Sequence, residues 1–118
     1  MIDYHKELVS ALNNVLPTYY ELALTKDTKV PCISYQERNN YAEQEGDTLG
    51  YSRISFTIKV WGRFTDMEAI QKAVVAIDTV LRPLGFKRTS TNELYKAPLL
   101  QKIMTYECRA LEDFNGGI

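Results

Sequence analysis

The chain predicts an α+β fold: a mostly antiparallel sheet in α-β-β-β-α-β-β order, with two helices packed on one face. Three observations carry that expectation. Residues 51–61 alternate apolar and polar side chains, residues 65–85 repeat apolar side chains at helical spacing between a start and a stop signal, and the other extended segments are joined by short turns. Strands joined that way pair antiparallel, and amphipathic helices must bury their apolar stripes against something.

The first helix is read over residues 3–16. Leu8, Leu12, Val15 and Leu16 form one stripe, Lys6, Glu7, Ser10 and Asn13 lie off it, Asp3 is placed to cap the start, and Pro17 stops it. Tyr19 to Leu24 follows as a short extended segment, then the polar turn Thr25-Lys26-Asp27-Thr28-Lys29. Val30-Pro31-Cys32-Ile33-Ser34-Tyr35-Gln36 reads as a strand whose proline suits an edge or a first position.

Residues 37–50 form the longest polar stretch, read as a loop that is either a solvated hairpin tip or an arm ordering on a partner. The clearest strand comes next, with Ile54, Phe56, Ile58 and Val60 against Arg53, Ser55, Thr57 and Lys59. A second helix opens on a capping box with Thr65 as N-cap and Glu68 reaching back. It continues through Met67, Ile70, Val74, Ile77, Leu81 and Leu84, and Pro83 and Gly85 end it. Phe86 to Thr91 is read as a strand and Thr91-Asn92-Glu93 as a turn. Leu100 to Ala110 is the last strand, with Leu100, Met104, Tyr106, Cys108 and Ala110 on one face, and residues 112–118 are a flexible tail.

Composition narrows the function classes. A chain of 118 residues, 45% hydrophobic and 25% charged, suits one folded domain spanning residues 1–118 and argues against disorder. With 14 basic and 15 acidic residues the net charge is −1, which supplies no electrostatic footprint for nucleic acid. No apolar run approaches the roughly 20 residues that span a bilayer, and the first seven residues lack a signal-peptide core, so folding in the cytoplasm without a membrane is expected. Cys32 and Cys108 are expected to be unpaired, packed thiols.

No catalytic, cofactor-binding or metal-binding residue is predicted. His5, the only histidine, has no Cys, Asp or Glu beside it at ligand spacing and is read as a surface residue of the first helix. Glu43, Glu45 and Asp47 alternate in a polar segment where nothing would raise a carboxyl pKa toward neutrality. The glycines fit turns and caps rather than a phosphate loop. The tyrosines Tyr19, Tyr20, Tyr35, Tyr41 and Tyr51 concentrate around the first hairpins, where they serve either a half-buried interface or the rim of the sheet. If both helices cover one face, the other displays Arg53, Ser55, Thr57, Lys59 and Trp61, and a bare Trp61 is costly.

Val30-Pro31-Cys32-Ile33-Ser34-Tyr35, the polar stretch after it, Ser55-Phe56-Thr57-Ile58-Lys59-Val60-Trp61, the capped helix ending in Leu84-Gly85-Phe86-Lys87-Arg88, and the closing strand together resemble the small tail-terminator proteins of long-tailed bacteriophages. The resemblance covers most of the chain and rests on the order of helices and strands. It implies a structural protein of the virion neck, assembled in the host cytoplasm as a homo-oligomeric ring, typically a hexamer. That ring would cap the tail tube protein, stop its polymerisation and dock the head–tail connector protein. Ring contacts are heterologous, one patch meeting a different patch. The candidate interface residues are Arg38, Asn39, Asn40, Tyr41 and Glu43 of the polar stretch, Trp61, and Phe114 of the tail. Another phage neck protein, or a protein-binding adaptor that forms no ring, is the alternative.

Overall fold

The computed structural model describes residues 5–21, 25, 27–45, 49–96 and 98–113, and for residues 39–45, 49–52 and 109–113 the backbone alone. Among them are two α-helices and one five-stranded sheet. The chain order is α1 (His5–Asn13), β1 (Thr18–Tyr20), β2 (Cys32–Glu45), β3 (Leu49–Gly62), α2 (Met67–Leu81), β4 (Lys87–Lys96) and β5 (Leu99–Asp113). The sheet runs β1-β2-β3-β5-β4 and every neighbouring pair is antiparallel except β1 with β2, which is parallel.

The alternation in β3 does what it predicts. Ile54, Phe56, Ile58 and Val60 are fully buried, and the register sets them beside Ile33 on one side and Met104, Tyr106 and Cys108 on the other. These residues form a single buried cluster with Leu8 and Leu12 of α1 and Ile70, Ala73, Val74, Ile77 and Leu81 of α2. Each such side chain removed from water contributes about 1.5–3 kcal/mol before conformational entropy is counted.

α1 closes, and α2 opens, differently from the sequence expectation. α1 ends at Asn13, and Val15 and Leu16 continue its stripe from a turn in which Val15 N–H donates to the Leu12 carbonyl at 2.9 Å. Asp3 lies outside the described residues. The capping box predicted on Thr65 and Glu68 sits two residues earlier. The Arg63 N–H donates to Asp66 Oδ2 at 2.9 Å, and a single 3-10 turn over Phe64–Asp66 leads into α2. Asp66 is the better acceptor there because its short side chain reaches back one turn, whereas Glu68 points to solvent and pairs with Lys72 at 3.3 Å. At the far end Gly85 adopts φ +88°, the left-handed conformation that stops a helix, after a 3-10 turn containing Pro83. Gly62 is needed for a different reason: a Cβ there would sit 2.7 Å from Ile70 Cδ1, so its absence lets α2 approach β3.

Two further expectations are corrected. Residues 37–45 and 49–50 are not loop but strand: β2 and β3 pair without interruption from Cys32↔Trp61 to Glu45↔Leu49, apart from one bulge. Pairing across the hairpin, from Glu45↔Leu49 to Glu37↔Phe56, supplies the ladder that local propensity does not. The expected turn at Thr91-Asn92-Glu93 is the middle of β4, where Asn92 faces Ile103 and Glu93 faces Lys102, whose Nζ lies 3.4 Å from Glu93 Oε1. β5 extends through Asp113, so residues 112 and 113 of the expected tail are strand; residues 114–118 lie outside the described residues.

The long strands make the molecule elongated. Its extents are 54 × 24 × 22 Å and its radius of gyration is 15.8 Å, against roughly 13–14 Å for a compact chain of this length. β2, β3 and β5 continue beyond the buried row of Ile54 and Cys108 to the row Glu45–Leu49–Asp113, forming a three-stranded arm.

Candidate assembly surface

Beyond the Phe56 row, β2 takes in one extra residue. Glu37 faces Phe56 and Asn39 faces Ser55, so Arg38 has no partner of its own in β3. A bulge of this kind bends the strand and re-aims the side chain. Arg38 is exposed, and its Nη1 lies 3.4 Å from Thr105 Oγ1. A matching irregularity falls in β4 between Arg88 and Ser90, leaving Thr89 to donate from Oγ1 to the Thr105 carbonyl at 3.3 Å. The two bulges lie on either side of the row containing Phe56 and Tyr106, so both margins of the sheet turn about the same point.

Of the candidate interface residues, Asn39, Asn40, Tyr41 and Glu43 follow Arg38 along the arm, opposite Ser55, Ile54, Arg53 and Tyr51. Trp61 belongs to the other end of β3, eight residues from Arg53, or about 26 Å along the strand. The candidates therefore do not make one patch, and Phe114 lies outside the described residues.

Trp61 is not bare. It is half-buried, its Nε1–H donates to Ser34 Oγ at 2.8 Å, and Lys59 Nζ lies 5.7 Å from its ring while pairing with Glu21 at 2.6 Å. The sheet face that carries Trp61 is drier than its polar sequence suggests: Ser34, Ser55, Gln101 and Thr105 are buried. Cys32 shares that face, on the same row as Trp61 and Gln101. Trp61 and Cys32 line a cleft of about 390 Å3 with Val30, Arg63, Pro98 and Leu99. Cys108 sits on the opposite face under Gly85, so the two thiols are buried apart from each other and form no disulfide, as expected.

Near the same end is an apolar patch that sequence reasoning missed. Phe64 and Tyr95 are each at least half exposed, with ring centroids 4.4 Å apart, and Leu94, the preceding strand residue, is exposed on the opposite face of the sheet. All ten residues of β4 are exposed. The signal was the run of Thr, Ser, Leu and Tyr through 89–95, strand-forming residues whose alternation is polar on both faces and so reads as a turn.

The tyrosines divide. Tyr19 and Tyr20 are exposed on β1, while Tyr35 is half-buried between Tyr20, His5 and Phe56 at centroid distances of 5.4, 5.9 and 6.4 Å. His5 is accordingly more than a surface residue. It meets Phe56 edge-on at 5.5 Å, and its Nε2 lies 3.7 Å from Glu37 Oε2. Glu37 Oε1 is buried and has no hydrogen-bond partner among the described residues.

One polar group enters the core from β5. The Tyr106 hydroxyl donates to Asp78 Oδ1 of α2, and Asp78 Oδ2 in turn lies 3.4 Å from Arg88 Nη2 of β4. Burial, and then the bond to Asp78, push the Tyr106 phenol well above its ordinary pKa. This chain ties the helix to the outermost strand and therefore fixes how β4 is presented. Among the described residues no three His, Cys, Asp or Glu side chains converge as a metal site, and no helix is long and apolar enough to cross a membrane. No protein-family model and no curated protein sequence matches the chain.

Proposed function

We propose that the chain is a structural subunit that assembles with copies of itself into a closed ring, typically of six, which caps a phage tail tube, stops its polymerisation and joins the tail to the head. The observation that carries this reading is the elongated sheet, in which three strands run on past the buried core as an arm while an exposed strand of unlike composition lies at the opposite margin. A subunit whose two margins differ makes heterologous contacts, and rotation closes those into a ring. The element order, α1-β1-β2-β3-α2-β4-β5, is the order on which the resemblance to tail terminators rests.

The two ends of the subunit are also unlike. The arm end carries Arg38, Asn39, Asn40, Tyr41 and Glu43; the other carries Trp61 and the Phe64–Tyr95 patch. A terminator needs such a difference, because one face binds the last ring of the tube and the other a different protein. Occupying the tube end with a ring whose far face does not match a tube subunit is enough to stop growth; no chemical step is required.

Antibody labelling of assembled particles tests the reading. The account expects label confined to the junction between head and tail. Label along the tail, on the head shell, or absent from particles overturns it, and the last result favours an adaptor that forms no ring.

A further inference from the structure

We propose that neighbouring subunits join by strand addition, the free edge of β4 in one copy pairing with the free edge of β2 over residues 36–45 in the next. The inference rests on the self-assembly reading above and deepens it by naming the two surfaces that meet.

The order β1-β2-β3-β5-β4 leaves β4 as one margin of the sheet. β4 has ten residues, all exposed, and among the described residues no strand lies on its side away from β5. The other margin is only partly closed. β1 pairs with Ile33, Ser34 and Tyr35 and stops, so from Gln36 to Glu45 no described strand lies beyond β2. That stretch is also ten residues long, about 33 Å of backbone. A row of unpaired N–H and C=O groups of this length is a template for another strand, and two such rows of equal length on one molecule are templates for each other.

Charge selects which edges meet. β4 holds Lys87, Arg88 and Lys96 against Glu93, a net +2; residues 36–45 hold Glu37, Glu43 and Glu45 against Arg38, a net −2. Pairing β4 with a second β4, or the β2 edge with a second β2 edge, sets like charges side by side, which is unfavourable. Pairing unlike edges matches them. Charged residues on an edge ordinarily guard it against self-association, and here they do so against the wrong partner while admitting the acidic edge. The contact that results is heterologous, as a ring requires. Each edge also carries one bulge, at Arg38 and at Thr89, so both margins are twisted in the same region of the sheet.

Charge exchange tests the pairing. Lys87→Glu with Lys96→Glu turns the β4 edge to −2, and Glu43→Lys with Glu45→Lys turns the β2 edge to +2. Native mass spectrometry of the whole chain is the readout, with circular dichroism checking that each variant is folded. Wild type is expected to assemble, each double variant alone to lose at least tenfold of its assembled fraction, and their equimolar mixture to recover it, as should the chain carrying all four changes. If wild type assembles and both variants assemble equally well, or if neither the mixture nor the fourfold variant recovers assembly, the edge pairing is wrong and the ring reading stands. If wild type itself is monomeric at every concentration, the self-assembly reading fails and the edge pairing falls with it.

Discussion

Replacing Tyr106 with Phe isolates the hydrogen bond that links α2 to β5. Tyr106 is 1% exposed and its hydroxyl donates to the Asp78 carboxylate, which also faces Arg88 at 3.4 Å. A hydrogen bond to a charged group is worth about 1.5–3 kcal/mol. The Asp78 side chain is 28% exposed, so water takes up part of the lost bond and Tyr106→Phe should cost about 1–2 kcal/mol. For a chain of this length that corresponds to a fall in Tm of roughly 4–8 °C. Urea unfolding followed by circular dichroism reads it directly, with the midpoint lowered and the slope unchanged. The pH dependence has a definite sign. Because the folded state raises the Tyr106 pKa, the stabilisation is complete below the ordinary tyrosine value of about 10 and is lost as pH rises above it. Above that pH wild type should therefore lose stability faster than the Phe variant, by up to about 1.4 kcal/mol per pH unit. A loss under about 0.5 kcal/mol, or the same loss when Asp78 is already Asn, would refute the link.

Four other outcomes follow from the packing. Gly62→Ala drives a methyl to 2.7 Å from Ile70 Cδ1 and should destabilise by about 1–3 kcal/mol, measured by the same unfolding experiment. Asp66→Ala should cost about 0.5–2 kcal/mol while Thr65→Ala stays within about 0.5, since Asp66 accepts the Arg63 N–H; the reverse order would restore the capping box on Thr65. Phe56→Ala, fully buried against His5, Tyr35 and Phe86, should cost about 3–5 kcal/mol, whereas Val75→Ala, on an exposed helix position, should be nearly neutral. Neither Cys32 nor Cys108 should react with a thiol reagent until the chain is unfolded, because both are buried and burial raises the Cys32 thiol pKa; rapid labelling of the native protein would contradict the packing.

The parts of the fold that were legible are those in which one segment states its own environment. Ile54, Phe56, Ile58 and Val60 announce a half-buried strand, and Ile70, Val74, Ile77 and Leu81 announce a helix stripe, without reference to any partner. The arm was not legible because Asn39, Asn40 and Glu43 have low strand propensity, and what holds them extended is pairing with Tyr51–Ser55 across the hairpin. β4 was cut short for a related reason. Asn92 is a turn residue by composition, yet here it occupies a strand position beside Ile103 on a fully exposed edge. His5 lies against Phe56 and Glu37 only because α1 returns onto the sheet, a juxtaposition of residues far apart in sequence. Of the candidate surface, Arg38 is exposed and Trp61 half-buried, each at a position the strand pattern puts off the core face, whereas the exposed edge formed by residues 87–96 required the strand order to be known.

The measurement that bears most directly on the proposed function is electron microscopy of a lysate in which this gene is disrupted in the phage or prophage that the proposal requires as its source. The account predicts overlong or unjoined tails beside DNA-filled heads, restored to joined particles of uniform tail length when the wild-type chain is supplied. Normal joined particles in the disrupted lysate would contradict it.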